Sequence, residues 1–579
     1  MGRKSKRIKW LTAMFCIAFL LLLSRLVQLQ ILDADELSGM AAGSRARFFP
    51  GEVGARGEIS DRNGLSLIDS GLQPAAVVFS SMIEDKAAVV EGLSGICGLP
   101  QAVMDNMLTG QGPSLVPNLS VEAAEKISSL NLRGVYVVPV KVRYGPESLA
   151  RHLVGHVNSL DAAALKAAQG EAGGSGETTS NPDYISDAVG VKGIEAVYED
   201  VLRGGEPEFF LSLVQDARGD IIPGLSFEKV VNRPVAPRGR VTLTIDRRLQ
   251  EKVETVMDAR VKRGAVVVMD VHTGDILAMA SRPNYNQNII AEYLDAGPDM
   301  GHFNNKALEY YHPGSVFKIL IAAAALEEGL VSPDELFFCT GNYVFESGLT
   351  IGCWVEEGHG ALLFRDGLAH SCNPVFIETA LRLGRSKILD YAEEFGLKTP
   401  QVVGYPVPAF NSVSIDFGPG KVANAALGQE GVRISPTQAA AVVSIIANGG
   451  KKVTPRIVLE AYDPSGRKVE DFSSPAQGPS VLSPETVEEV RDMLTSAARW
   501  GTGKNAWVPG YGSSGKTGSA ETGRIGPGGK YVKNVWFAGF APVNEPKYAV
   551  VVLVEDGESG GADAAPVFKE IASFALNNL

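Results

Sequence analysis

His312-Pro313-Gly314-Ser315-Val316-Phe317-Lys318 runs into Ile319-Leu320-Ile321-Ala322-Ala323-Ala324-Ala325-Leu326 and closes with Glu327-Glu328-Gly329. Pro313 and Gly314 interrupt what precedes them, the Ala- and Leu-rich run favours a helix, and Gly329 supplies a stop. The stretch predicts a helix over Ser315 to Leu326, with Ser315 in its first turn and Lys318 three residues on, on the same face. That spacing has chemical content. A serine hydroxyl is a poor nucleophile and needs an adjacent base. A lysine serves as that base only if desolvation or nearby positive charge destabilises its ammonium. Val316, Phe317, Ile319 and Leu320 would desolvate it, and the positive end of the helix dipole acts in the same direction. Taken alone, Ser-x-x-Lys reads equally as an ordinary helix start with a solvated lysine.

Two further stretches lie downstream. Ala369-His370-Ser371-Cys372-Asn373-Pro374 sets a hydroxyl and a carboxamide two residues apart, ahead of an apolar helix from Phe376 to Leu383. Alone it would be a helix N-cap, with Cys372 a packed small residue. Gly515-Lys516-Thr517-Gly518-Ser519 follows Gly512-Ser513-Ser514. On an edge strand it would present a cation, a hydroxyl and, at glycine, a backbone that a ligand can approach. Its plain alternative is a turn with a solvated lysine. The set decides: Ser-x-x-Lys, Ser-x-Asn and Lys-Thr-Gly occur in that order in one region, as in the penicillin-recognising serine enzymes.

The surrounding pattern is that of one α+β domain. Val241 to Ile245 reads as a strand, with Asp246 capping the helix that follows. Gly264 to Met269 and Ile276 to Ala280 form a hairpin around His272-Thr273-Gly274-Asp275. Asn534 to Ala541 and Tyr548 to Glu555 form another, and Asp563 to Leu579 is a closing helix. Strands at both ends with helices between predict an antiparallel sheet between helical layers. Upstream, Asn63-Gly64 suits a tight turn, Ala75 to Phe79 a strand and Val121 to Leu130 a helix. Gly170 to Pro182 is a Gly/Ser/Thr-rich insertion.

At the N-terminus, Arg3, Lys4, Lys6, Arg7 and Lys9 precede an unbroken apolar or Thr run from Trp10 to Leu23, which continues with interruptions to Leu32. A cleaved signal would start the same way, but no small-x-small site follows, so the reading is an uncleaved anchor. Basic residues ahead of the span place the N-terminus in the cytoplasm and the rest outside. The 579 residues are 45% hydrophobic and 21% charged, enough for two or three domains. A net charge of -12 argues against a nucleic-acid partner. The five cysteines and seven histidines show no metal-ligand spacing. No metal or cofactor is expected: His359, in Gly358-His359-Gly360, reads as a loop feature. Cys339 and Cys353 read as free thiols, with oxidation to a pair the alternative.

The chain resembles a class B penicillin-binding protein over nearly its whole length. Besides the three motifs it has Arg56-Gly57-Glu58-Ile59-Ser60-Asp61-Arg62-Asn63-Gly64, His152-Leu153-Val154-Gly155, Gly193-Ile194-Glu195, Thr244-Ile245-Asp246, Asn305-Lys306-Ala307, Gly428-Gln429 and Ile434-Ser435-Pro436. The resemblance implies a cytoplasmic tail (1–9), a transmembrane anchor (10–32), an elongated pedestal or dimerisation module (33–238) and a transpeptidase domain (239–579). It implies that Ser315 attacks the carbonyl between the terminal D-alanines of a peptidoglycan stem peptide while Lys318 takes its proton. Ser371 and Lys516 would relay a proton to the leaving D-alanine, and Asn373 would hold the donor backbone. Thr517 and Ser519, beside Gly518, would receive the terminal carboxylate. The N–H groups of Ser315 and Ser519 would form the oxyanion hole. β-Lactams would acylate Ser315. The implied partners are the membrane, stem peptides and a polytopic glycan polymerase. Two departures stand out: His312 before the nucleophile, and Ser519 where threonine is usual.

Rival readings share parts of this pattern. A class A β-lactamase needs Glu-x-x-x-Asn, yet none of Asn411, Asn424, Asn448 and Asn505 has glutamate four positions earlier. A bifunctional enzyme would need an acidic glycosyltransferase motif before Arg238. A D,D-carboxypeptidase would use the same residues with water as acceptor. A non-enzymatic β-lactam sensor or scaffold would not need the intact catalytic set, and a sensor would carry a longer cytoplasmic segment.

Overall fold

The computed structural model describes residues 2–579 apart from 34–45, 53–54, 98–100, 102–103, 106–107, 109–112, 117–118, 159–187, 205–206, 215–220, 222–225, 228, 231–236, 289, 291–292, 294–300, 476 and 527. The insertion read from Gly170 to Pro182 lies outside the described residues. Helix α1 (Gly2–Val27) carries the apolar run and widens into a π-turn at Gln28–Leu32. The segment Lys6–Leu32 is long and apolar enough to cross a membrane, and none of it is buried in the protein.

The upstream module contains β1 (Glu58–Ser60). The Asn63-Gly64 turn follows it as expected: Gly64 has φ 81°, and the Asp61 carboxylate accepts from the N–H groups of Asn63 and Leu65. Strands β2 (Gly71–Phe79), β3 (Pro113–Val116) and β4 (Val135–Val142) make an antiparallel sheet with β2 central. The helix Val121–Leu130 packs Ala124 and Ile127 against it, capped by Ser120 as Ala123 N donates to Ser120 Oγ. A buried ionic knot holds the module together. Glu195 is wholly buried and accepts from Arg56 Nε (3.2 Å), Arg143 Nε (2.5 Å) and Tyr144 OH (2.9 Å). The knot joins Arg56 of the first upstream motif to Glu195 of Gly193-Ile194-Glu195.

The downstream half opens with β5 (Arg240–Leu243), which pairs parallel with β1, so one sheet contains strands from both sides of residue 238. Asp246 caps α2 (Arg247–Arg260), accepting from the N–H groups of Arg248 and Leu249. The central sheet follows: β6 (Gly264–Asp270), β7 (Ile276–Arg282), and, after the helices α3 (Lys318–Glu327), α4 (Asn373–Glu394) and α5 (Pro436–Ala447) and the strands β8 (Val458–Tyr462) and β9 (Lys468–Asp471), β10 (Ser514–Ile525), β11 (Tyr531–Ala541) and β12 (Tyr548–Val554). Helix α6 (Ala565–Asn578) closes the chain. The five-stranded order is β7-β6-β12-β11-β10, antiparallel throughout, with β10 on the edge.

Alternation along these strands divides the core. Val266, Val268, Phe537, Val550 and Val552 face α2 and α6, through Val253, Met257, Phe568 and Ile571. Ala265, Val267, Trp536, Ala538, Val551 and Leu553 face α3, α4 and α5. The expected sheet between helical layers is present. Helix α3 is apolar around its whole circumference and buried from Lys318 to Leu326, so its one lysine is carried into the interior.

Candidate active site

The Ser315 turn is tighter than the sequence suggests. Gly314–Phe317 forms a 3-10 turn, and the α-helix starts at Lys318 rather than Ser315. Close packing explains this. Gly314 has φ 56°, and a Cβ there would lie 2.5 Å from Ser519 O. A Cβ on Gly428 would sit 2.0 Å from Gly314 O, and one on Gly518 2.4 Å from Pro313 O. The turn is clamped between the Lys-Thr-Gly strand and the Gly428 loop, where Gly314 N donates to Gly428 O at 3.0 Å. His312 has a job here: its Nδ1–H donates to Val432 O at 2.7 Å, while its own carbonyl accepts from Trp536 Nε1 at 3.1 Å. Ser315 is half-buried at the mouth of this turn.

Lys318 is fully buried. Its Nζ donates to Ser371 O (2.9 Å) and Asn373 Oδ1 (2.8 Å) and lies 3.4 Å from Ser371 Oγ and 5.3 Å from the Phe376 ring centre. Burial pushes its pKa down to about 8. Lys516 is equally buried on β10, with Nζ 3.1 Å from Thr517 O. Burial first, then the charge of Lys318, hold its pKa well below the usual lysine range. Thr517 Oγ1 shares a 2.8 Å hydrogen bond with Thr502 Oγ1, and Ser519 is exposed.

The N-cap alternative for Ser-x-Asn fails. The residue capping α4 is Cys372, without a side-chain hydrogen bond, and Asn373 is the first helical residue. The Asn373 amide spans the cleft wall instead, accepting from Lys318 and donating Nδ2 to Gly352 O at 2.9 Å. Ser371 ends the short helix Phe364–Ala369 with φ 57°, a left-handed position where glycine or asparagine is usual. The backbone there costs about 1 kcal/mol or more and aims the hydroxyl at Lys318. The structure thus brings Lys318, Ser371 and Asn373 into mutual contact and packs the Ser315 turn on the Gly518 backbone. Sequence reasoning missed Thr502 and the Gly352 carbonyl, which carry no local pattern. The cysteines are free thiols, including Cys339 and Cys353.

Residues 264–573 match the penicillin binding protein transpeptidase domain, and residues 52–224 match the penicillin-binding protein dimerisation domain. The chain is a class B penicillin-binding protein. It is 31% identical to Stage V sporulation protein D of Bacillus subtilis, over 99% of this chain and 86% of that one. It is 26% identical to peptidoglycan D,D-transpeptidase MrdA of Haemophilus influenzae, over 96% and 89%. The fold matches a crystal structure of the D,D-transpeptidase domain of an Eggerthella lenta peptidoglycan glycosyltransferase, with a TM-score of 0.59 at 23% identity, covering 91% of this chain and 99% of that one. As a class B penicillin-binding protein it is a D,D-transpeptidase that cross-links peptidoglycan through a serine acyl-enzyme, takes D-Ala-D-Ala stem peptides and is acylated by β-lactams. The apolar N-terminal helix fits a membrane-anchored member of the family.

Proposed function

We propose that Ser315 is the acylated serine and Lys318 its base, in a chain whose N-terminus is cytoplasmic and whose catalytic domain is extracytoplasmic. The observation that carries the assignment is the environment of the Lys318 amine. A neutral lysine has two N–H bonds. The acceptors at 2.8 and 2.9 Å, Asn373 Oδ1 and Ser371 O, take both and leave a lone pair for an incoming proton. Two buried ammonium groups in one cleft repel, which further favours a neutral amine in the pair.

The reaction then runs in two halves. Ser315 Oγ attacks the penultimate D-Ala carbonyl as its proton passes to Lys318, and the oxyanion sits between the N–H groups of Ser315 and Ser519. The Ser519 backbone lies directly against Gly314, which supports that pairing. The tetrahedral intermediate collapses, and the departing D-alanine amine takes a proton relayed through Ser371 and Lys516. An amine from a second stem attacks the acyl-enzyme and restores the serine. Asn373 aligns the donor backbone; Thr517, Ser519 and the unobstructed Gly518 receive its carboxylate. A polytopic glycan polymerase is the partner assigned to the anchor and the 33–238 module, beside the catalytic part at 239–579; the membrane-length helix with no face buried in the protein supports this.

The test is fluorescent penicillin labelling of wild type and Ser315→Ala, followed by incubation with a stem-peptide donor and an amine acceptor. Label on wild type alone and a cross-linked product support the assignment. Label persisting on the variant rejects Ser315. D-alanine release without cross-linked product supports a D,D-carboxypeptidase.

A further inference from the structure

The chain has five tryptophans. Trp10 belongs to the anchor helix, and Trp536 is buried in the central sheet. Trp354 and Trp500 are 59% and 46% exposed, and among the described residues they are the exposed tryptophans outside the anchor. Far apart in the chain, they meet at His370, the neighbour of Ser371. Trp354 Nε1 donates to His370 O at 2.9 Å, and the Trp500 ring centre lies 5.2 Å from that of His370. The His359 ring fills the space between, 5.6 Å from Trp354 and 5.7 Å from His370. The rings form one continuous row beside the Ser-x-Asn turn.

Both tryptophans are held in place although they face water. The indole N–H of Trp354 is satisfied inside the protein, so what the residue shows to solvent is apolar ring. Its loop is tied to the motif, where Asn373 Nδ2 donates to Gly352 O at 2.9 Å. Trp500 follows the helix Pro484–Arg499, and its N–H donates to Ser496 O at 3.1 Å. The next residue, Gly501, passes so close to the motif that a Cβ there would lie 2.4 Å from Ala369 O. Side chains ordered before a ligand arrives spare the complex that entropy. Adjoining exposed aromatic rings mark a surface that something covers.

The neighbourhood says what the cover is. Val355-Glu356-Glu357 follows Trp354 with both carboxylates exposed, and no lysine or arginine occurs from Asn342 to Leu363. Arg499, beside Trp500, lies over the Trp507 ring at 5.8 Å. Tryptophans that meet a bilayer are accompanied by basic residues, and acids here would repel anionic lipid. Carboxylates suit a neutral ligand rich in hydroxyl groups, as acceptors. The family's substrate supplies one. Each stem peptide hangs from an N-acetylated sugar ring, so sugars lie within a stem's length of the acylated serine. The C–H faces of a sugar are weakly positive and stack on the negative faces of aromatic rings. We propose that Trp354, His370 and Trp500 form a saccharide subsite that stacks an uncharged N-acetylhexosamine ring of the peptidoglycan strand beside the cleft. It rests on the Ser315 assignment, which makes the Ser371 turn a wall of the reactive cleft. The subsite favours stems still attached to sugar, and it makes Trp354 and Trp500 specificity-determining residues.

Full-length protein in detergent is titrated with chitotriose, an uncharged N-acetylglucosamine oligomer, while tryptophan fluorescence is read. The expected result is a saturable change in wild type that is lost when Trp354→Ala and Trp500→Ala are combined and kept in part by Trp354→Phe, which retains a ring. Turnover is then compared for stem peptides with and without their disaccharide. The sugar should lower the wild-type KM by about two- to tenfold, the range of one ring contact. That preference should vanish in Trp354→Ala and in Trp500→Ala; because it is a ratio within each variant, a general loss of activity does not imitate it. The wild-type titration and the wild-type KM ratio need no variant to fold. No fluorescence response in wild type, or equal KM with and without sugar, overturns the subsite. A response to the bare stem peptide alone overturns it in favour of a peptide-binding wall. Quenching of Trp354 and Trp500 by brominated lipid, in Trp10→Phe protein held in a nanodisc, overturns it in favour of a bilayer contact. The Ser315 assignment fails separately, on penicillin label persisting in Ser315→Ala, and saccharide binding has no part in that result.

Discussion

The pedestal and the catalytic cleft both bury charge, and they do so in opposite ways. In the pedestal, Arg56 and Arg143 meet the wholly buried Glu195, and Glu52 is held between Arg238, at 2.6 Å, and Lys141. Each cation has its acid, and the knot joins segments far apart in the chain. In the cleft, Lys318 and Lys516 are as deeply buried, yet among the described residues no carboxylate lies within salt-bridge distance of either. Their partners are neutral oxygens. A paired buried charge costs its desolvation and recovers it in Coulomb energy and hydrogen bonds, which suits a fixed frame. An unpaired buried amine recovers little, so its pKa falls and it becomes a base near neutral pH. The same physical cost serves architecture in one region and, on the proposed assignment, reactivity in the other.

The contrast can be broken by substitution, beginning with the largest effect. Ser315→Ala should abolish covalent penicillin labelling, a loss of about 10⁴-fold or more in acylation rate, with the melting temperature unchanged. Lys318→Met should cut acylation by about 10²–10⁴-fold while leaving thermal stability equal or higher, because an apolar chain of similar volume replaces an uncompensated amine. Stopped-flow acylation and a thermal shift assay read the two together; a large loss of stability would show that Lys318 is a structural ion after all. Glu195→Gln should do the reverse. It leaves Arg143 buried without its acid and Arg56 with Glu199 alone, and should destabilise the pedestal by about 3–5 kcal/mol, seen as early proteolysis upstream of residue 238 with a cleft that still binds penicillin.

The smallest effect sharpens the comparison at the junction. His152, whose Nε2–H donates to His302 O at 2.9 Å, and His156, 3.2 Å from Tyr285 OH, pack the pedestal against the catalytic half. Burial pushes their pKa values down from 6.5 to about 3 and about 4, helped for His156 by Lys192. The folded state holds them neutral. Their contribution is therefore complete above pH 6.5 and is lost progressively as pH falls towards the folded values, at about 1.4 kcal/mol per pH unit for each group. Hydrogen exchange of residues 150–157 should rise between pH 6.5 and 5, and His152→Gln should flatten that dependence.

What was legible in the chain follows the range of the interactions. Elements set by local periodicity were readable: the hairpins of the central sheet, the Asp246 cap, the helix at Val121–Leu130 and the edge position of Lys516-Thr517-Gly518. Ends shifted where tertiary packing decides. The helix after Ser315 starts three residues late because Gly314 is wedged against Ser519 and Gly428, and neither lies within a hundred residues of it. Ser371 and Asn373 looked like caps because capping is what such residues do locally; Lys318, fifty-five positions before Asn373, redirects the amide. The convergence of Cys339, Cys353, His359 and Cys372 was illegible for the same reason, since strands intervene between side chains that no short spacing links.

The central claim is that the buried, acid-free Lys318 is neutral when it takes the Ser315 proton. The pH dependence of the penicillin acylation rate tests it most directly. Burial holds the Lys318 pKa near 8, and only the neutral amine accepts a proton, so the rate should climb roughly tenfold per pH unit below 8 and level off above it. The apparent value belongs to the coupled pair with Lys516 and should move in Lys516→Met. A rate that is flat from pH 6 to 9, or that rises only as a solvated lysine titrates near 10.4, would contradict the account.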